Sequence, residues 1–167
     1  LKIVGTIIGQ KEFFKGIDQI NFEGEESDNP FSYRFYDKEK VVLGKPMKEH
    51  FKFAVAYWHS FVNSGNDPFG IGTKKYPWME LKDVNQRSYQ KMDAAFEFIS
   101  KLDLEYFCFH DFDLVDEGKT ILESERRLDD ISDYCILKMK NSKIKPLWGT
   151  ANLFSNPRYM NGAATNP

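Results

Sequence analysis

The side chains best suited to chemistry fall into three short clusters. His110, Asp111 and Asp113 follow directly on the apolar run Tyr106, Phe107, Cys108, Phe109. Trp58 and His59 end a second apolar run, with Asp67 and Phe69 farther along the same loop, and Trp148, Thr150, Asn152 and Phe154 end a third. His110 with Asp113 is the most chemical pair. A carboxylate that accepts the proton of one imidazole nitrogen fixes the tautomer, turns the other nitrogen toward a substrate hydroxyl and stabilises the imidazolium when a proton is taken. The same spacing also suits a plain solvated turn in which Asp111 or Asp113 caps the next segment. A metal site is a third option, but one short cluster with no second carboxylate-rich segment offers too few ligands, so no metal ligand is assigned in this chain. His59 reads as a structural, hydrogen-bonding histidine, and His50 is no evident partner to either group.

Aromatic residues make up 16% of the chain, including fifteen Phe and three Trp, and most must be core because they supply the largest apolar areas. Trp58, Trp148 and Phe154 stand apart by position, at or just beyond predicted strand ends. Such rings can wall a ligand pocket, with the hydroxyl of Thr150 nearby. Sugars, which present a flat C–H face, would suit such a wall. Ring stacking in an ordinary core competes equally with that reading.

These residues need elements to position them. The run 53–58 predicts a buried strand, preceded by a short helix over 45–53 with Pro46 in its first turn. Residues 63–77 hold Gly65, Pro68, Gly70, Gly72 and Pro77, which is loop chemistry, with Phe69 at the tip. Tyr89, Met92, Phe96, Ile99 and Leu102 recur at steps of three and four and predict a helix over 88–102. The run 106–109 predicts a strand buried on both faces, hence a parallel sheet. Thr120 followed by Glu123 resembles a capping box opening a helix that carries Ile121, Leu128, Ile131, Cys135 and Met139. Residues 145–150 predict another strand. Strand, loop, helix repeated in this order is the grammar of β/α units, whose reactive residues gather where strands end. No glycine-rich phosphate fingerprint follows any strand.

The balance of 23 basic and 25 acidic residues, a formal charge of −2, supplies no general attraction to nucleic acid or to an anionic membrane. Cys108 and Cys135 lie inside apolar patterns without zinc-ligand spacing, so both read as buried thiols in a reducing, cytoplasmic compartment. The opening run 1–10 is too short for a membrane span and lacks the charged start of a signal peptide. The chain begins with Leu1 and finishes Asn166, Pro167, which looks like two cuts. Residues 1–45 read as an irregular N-terminal arm and 46–167 as the body.

Several multi-residue motifs now stand in order: Gly44-Lys-Pro-Met-Lys-Glu, Ala56-Tyr-Trp-His-Ser-Phe, Asp67-Pro-Phe-Gly, Phe107-Cys-Phe-His-Asp-Phe-Asp, Leu147-Trp-Gly-Thr-Ala-Asn-Leu-Phe and Asn161-Gly-Ala-Ala-Thr-Asn-Pro. Together they resemble the N-terminal portion of the xylose isomerase family, of the longer class II bacterial type, from about residue 11 onward. The resemblance implies part of a metal-dependent TIM (β/α)8 barrel that interconverts D-xylose and D-xylulose, with D-glucose and D-fructose as a related pair. By the same resemblance His110 assists ring opening and Asp113 orients it. Trp58 and Trp148 line the sugar pocket, Thr150 and Phe154 adjoin it, and Phe69 reaches into a neighbouring subunit of a homotetramer. Two divalent cations, Mg2+, Mn2+ or Co2+, polarise the substrate while a hydride moves between C1 and C2; their ligands lie on later strands, beyond residue 167. The family often has Arg where Phe112 stands, a change that leaves His110 and Asp113 in place.

An eight-fold barrel needs about 250 residues. The 167 here supply roughly three of the eight units, so the chain on its own is expected to be inactive. Two other readings remain: a non-catalytic β/α module or degenerate paralogue serving assembly, and another metal-dependent sugar epimerase on the same barrel.

Overall fold

A tight hairpin opens the regular structure of this chain, a computed structural model that describes residues 6–153 and 156–162. Strand β1 (Val41–Val42) pairs antiparallel with β2 (Lys45–Pro46). The two turn residues Leu43 and Gly44 both take positive φ, at 50° and 79°, the conformation that matches hairpin twist and makes the second position a glycine. A single helical turn, α1 (Met47–His50), follows, with Pro46 just before it. The helix expected over 45–53 is thus cut short at both ends: residues 45–46 are spent on the hairpin and the backbone is extended again at Phe51.

Strand β3 (Ala54–Ala56) is shorter than the apolar run that predicts it, because Tyr57 turns helical and a π-helical turn spans Trp58–Val62. A 3-10 turn, Pro77–Glu80, lies in the stretch leading from the 63–77 loop to α2 (Val84–Lys101). Helix α2 starts earlier than its apolar stripe suggests, since Asp83 caps it by accepting the Gln86 N–H at 2.8 Å. It ends in a Schellman-type cap, with the Asp103 N–H on Ser100 O and the Leu104 N–H on Ile99 O. Asp103 takes φ 54° there, and Lys38 and Lys143 both pair with its carboxylate.

Strand β4 (Tyr106–His110) runs straight into a short helix, α3 (Asp111–Leu114). Helix α4 (Ile121–Lys140) is capped by Thr120 Oγ1, which accepts the Glu123 N–H at 3.2 Å, while Glu123 reaches back to the Lys119 N–H at 2.7 Å. Strand β5 (Lys145–Thr150) and a last 3-10 turn, Pro157–Tyr159, complete the described chain.

The expected parallel sheet forms, three strands in the order β3-β4-β5, with Ala56 opposite Cys108 and His110 opposite Thr150. Side chains alternate across it. Val55, Tyr57 and Phe107 lie on the face covered by α2 and α4, in a core with Phe96, Ile99, Ile131 and Cys135. The opposite face carries Ala54, Ala56, Cys108 and His110. Strand β4 is buried on both faces at its middle, by Phe107 on the helix side and Cys108 on the other, while its ends are half-buried and β5 is exposed throughout. Both cysteines are buried free thiols, as expected.

The N-terminal arm is irregular but not loose. It is stitched along α2: the Ile7 N–H donates to Ser100 Oγ at 3.0 Å, the Phe13 and Phe14 N–H groups to Glu97 at 2.8 Å each, and the Tyr33 hydroxyl to Leu102 O at 2.7 Å. Gly9 passes so close that a Cβ there would collide with the Asp93 carboxylate.

Candidate functional site

Trp58, His110 and Trp148 come from three different parts of the sequence and meet at the carboxyl ends of the parallel strands. Trp58 is the first residue of the π-helical turn after β3, His110 the last of β4, and Trp148 lies in β5. The His110 ring centroid is 4.9 Å from that of Trp58 and 6.1 Å from that of Trp148, and the two indoles are 5.4 Å apart. Trp148 remains 44% exposed, so its indole offers free apolar surface beside the imidazole.

Asp113 supplies the second half of the pair. Its Oδ2 accepts the His110 backbone N–H at 2.7 Å and lies 3.0 Å from His110 Nδ1. The carboxylate therefore closes the first turn of α3 and meets the imidazole at once, in a buried rather than a solvated turn. A proton on Nδ1 facing Asp113 leaves Nε2 of the neutral ring as an acceptor. Asp113 is itself 4% exposed, which shields this pairing from competing water. Asp111 does a different job, since its Oδ1 accepts the N–H groups of Phe112 and Asn152 and so ties the end of β4 to the segment after β5.

The remaining expected residues are distributed unequally. Thr150 is exposed and lies opposite His110 in strand register. Phe154 lies outside the described residues. Phe69 sits at a loop tip and is 95% exposed; Asp67 Oδ1 accepts the N–H groups of Phe69 and Gly70 at 2.8 and 2.9 Å, fixing a turn that presents the ring to solvent. The structural role expected of His59 is not seen: it is exposed, 5.5 Å from the Trp58 ring, and among the described residues it makes no hydrogen bond. His50 instead bonds Val42 O through Nε2 at 2.8 Å.

Two buried groups next to the pair escaped sequence reading. Lys91, on α2, is pushed down to about 8 by burial, partly offset by the charges of Asp116 and Asp113. Tyr57 is raised well above its ordinary value by burial first, then by the nearby Cys135 and Asp113, and its hydroxyl has no partner among the described residues. Cys108 is also raised, by burial and then by Asp113. The signal for Lys91 is its place one turn from the small residues Ser88 and Ala95 on the same helical face, both buried.

Among the described residues no group of three or more His, Cys, Asp and Glu side chains is placed to hold a metal ion. No helix among the described residues is long and apolar enough to cross a membrane.

No protein-family model matches the chain. Individual relatives do. The xylose isomerase of Thermotoga maritima is 54% identical over 154 residues, covering 92% of this chain and 35% of its own length. That of Bacteroides thetaiotaomicron is 53% identical over 157 residues, 94% of this chain and 36% of its own. Xylose isomerase 2 of Xanthomonas campestris pv. campestris is 52% identical over 162 residues, 97% and 36%, so this match reaches into the first ten residues, beyond the extent read from the motifs. The likeness to xylose isomerases is thus borne out across nearly the whole chain, which spans about a third of the length of these relatives.

Proposed function

From this likeness to the xylose isomerases, we propose that the chain is the N-terminal portion of an aldose–ketose isomerase that converts D-xylose to D-xylulose, and D-glucose to D-fructose. Residues 1–45 serve as its arm and 46–167 as the first β/α units of a TIM barrel. The observation that carries the reading is the His110–Asp113 pair set between two indoles at the strand ends.

Ring opening is the step these residues perform. In the cyclic sugar the C1–O5 bond must break while C1=O1 forms, the O1 proton leaving and O5 gaining one. His110 Nε2, neutral and aimed away from Asp113, accepts the O1 proton; the imidazolium, its charge balanced by the Asp113 carboxylate, returns a proton to O5. Trp58 and Trp148 take the C–H face of the sugar, with Thr150 and Phe154 at the border of the pocket. Phe69, held out on its turn, reaches the site of a neighbouring copy in a homotetramer. Two divalent cations, Mg2+, Mn2+ or Co2+, would supply electrostatic stabilisation of the substrate oxygens from the remaining part of the protein. The stretch described here is inactive without that part, and the enzyme works in the cytoplasm.

The test is sugar-dependent tryptophan fluorescence of the intact protein. Xylose should change the emission, and the change should shrink in Trp58→Phe and in Trp148→Phe. Emission indifferent to xylose at saturating sugar would reject the pocket.

A further inference from the structure

Arg87 and Lys91 stand one turn apart on α2 and share the wall of a cavity of about 250 Å3. The cavity is separate from the candidate sugar site, since none of Trp58, His110 and Trp148 lines it. Its polar groups are few and nearly all engaged. Arg87 donates from Nη1 to Leu81 O at 3.0 Å and from Nη2 to Asp116 Oδ2 at 2.6 Å. The Tyr76 hydroxyl donates to Asn63 O at 2.9 Å and that of Ser88 to Val84 O at 3.0 Å.

Lys91 is the exception. It is 8% exposed, and among the described residues it makes no hydrogen bond and no ion pair. Asp116, the one carboxylate among the described residues that line the cavity, is committed to Arg87. Burial pushes the Lys91 ammonium down to about 8, partly offset by the charges of Asp116 and Asp113, so it keeps its proton at neutral pH. An ammonium taken out of water without a counter-ion in contact is costly, and a bound anion would remove that cost.

The rest of the wall says which kind of anion fits. Phe61, Tyr76, Trp78 and Phe112 bring aromatic rings to it, with Tyr76 and Trp78 stacked at 4.8 Å between centroids. A strongly hydrated ion such as phosphate would set polar oxygens against those rings. A carboxylate on a flat apolar body instead puts its charge on Lys91 and its carbon on the rings. The volume lies just under the roughly 300 Å3 at which ligand pockets begin, so that body is about one ring in size.

We propose that this cavity binds a small apolar monocarboxylate of the benzoate class, its carboxylate on the Lys91 ammonium and its ring among Phe61, Trp78 and Phe112. One negative charge suffices, because Arg87 already has its carboxylate and Lys91 alone of the two cations lacks one.

The test is calorimetric titration of the intact protein, wild type and Lys91→Met, at neutral pH with sodium benzoate, benzamide, sodium acetate and inorganic phosphate. Benzoate should bind the wild type at one site with Kd of about 1 mM or tighter. Loss of the charge on either side, in Lys91→Met with benzoate or in the wild type with benzamide, should weaken binding about tenfold or more. Acetate, which keeps the charge without the ring, should bind more weakly than benzoate by at least about tenfold. No saturable heat with benzoate overturns the proposal, and so does benzoate binding that is unchanged in Lys91→Met. Acetate or phosphate binding as tightly as benzoate overturns it too, by assigning the cavity to a hydrated anion. Should Lys91→Met fail to fold, benzamide decides on the wild type, because binding equal to that of benzoate rejects the ammonium as the recognising group. These readouts involve no sugar turnover and so stand or fall apart from the isomerase reading.

Discussion

Trp58 and Trp148 meet across the strand that carries His110. Their ring centroids are 5.4 Å apart with planes inclined by 39°, although β3 and β5 share no hydrogen bonds and β4 lies between them. Parallel pairing in sequential order brings the three strand ends level, so each contributes one ring to a common floor. Replacing either indole by Ala should weaken sugar binding by about fivefold, the loss of roughly 1 kcal/mol of ring contact. Measured KM should rise while kcat falls less; an unchanged KM in both variants would show that the indoles only fill space.

Glu97 is 0% exposed and accepts the N–H groups of Phe13 and Phe14 and the ammonium of Lys101, at 2.8, 2.8 and 3.0 Å. Glu97→Ala leaves the Phe13 and Phe14 amides without their acceptor and takes one carboxylate from Lys101, which keeps Glu12 and the Phe14 carbonyl, and should cost ~2–4 kcal/mol. Denaturant unfolding reads the loss. Limited proteolysis should show cleavage moving into residues 6–20, and an arm that stays resistant would contradict the docking.

Lys91 also sets a pH dependence of stability. Its folded value of about 8 lies below the ordinary 10.5, so the unfolded chain binds more protons between these values and stability rises with pH across that window. Below about 8 the penalty is fully present. Lys91→Met should therefore be more stable than the wild type at neutral pH, by an amount on the order of 3 kcal/mol, with the gain fading as pH approaches 10.5. Equal unfolding midpoints at neutral pH would show the ammonium to be better solvated than its burial indicates.

Tyr57 is 1% exposed and its hydroxyl lacks a partner among the described residues. Removing an unsatisfied buried hydroxyl at constant shape costs little. Tyr57→Phe should be neutral or stabilising by about 1 kcal/mol. A clear loss in the thermal midpoint would reveal a bonded water or a partner for that oxygen.

Much of this arrangement is legible in the residues themselves. The unbroken apolar run that stops at His110 and the periodic stripe from Ile121 to Met139 are strong signals, and both elements stand where the pattern puts them. The start of α2 is legible only through its cap, Asp83 with Gln86, which the apolar stripe misses. Helix α3 carries no periodic signal at four residues and forms because Asp113 closes back on His110. Trp58 turns out of β3 into a π-helical turn that no local pattern announces. Lys91 lies outside the apolar stripe of α2 and is buried in the wall of a cavity that Phe61, Val62, Tyr76, Trp78 and Met79, from an irregular segment, also line. Tertiary closure, not propensity, decides these cases.

The claim that His110, held by Asp113, opens a sugar ring is tested most directly by turnover of cyclic D-xylose by the intact protein supplied with divalent cation, beside His110→Gln. Wild type should form D-xylulose, and His110→Gln, folded to the same midpoint, should be slower by about 10²-fold or more. Ketose formed at the wild-type rate by His110→Gln would contradict the account.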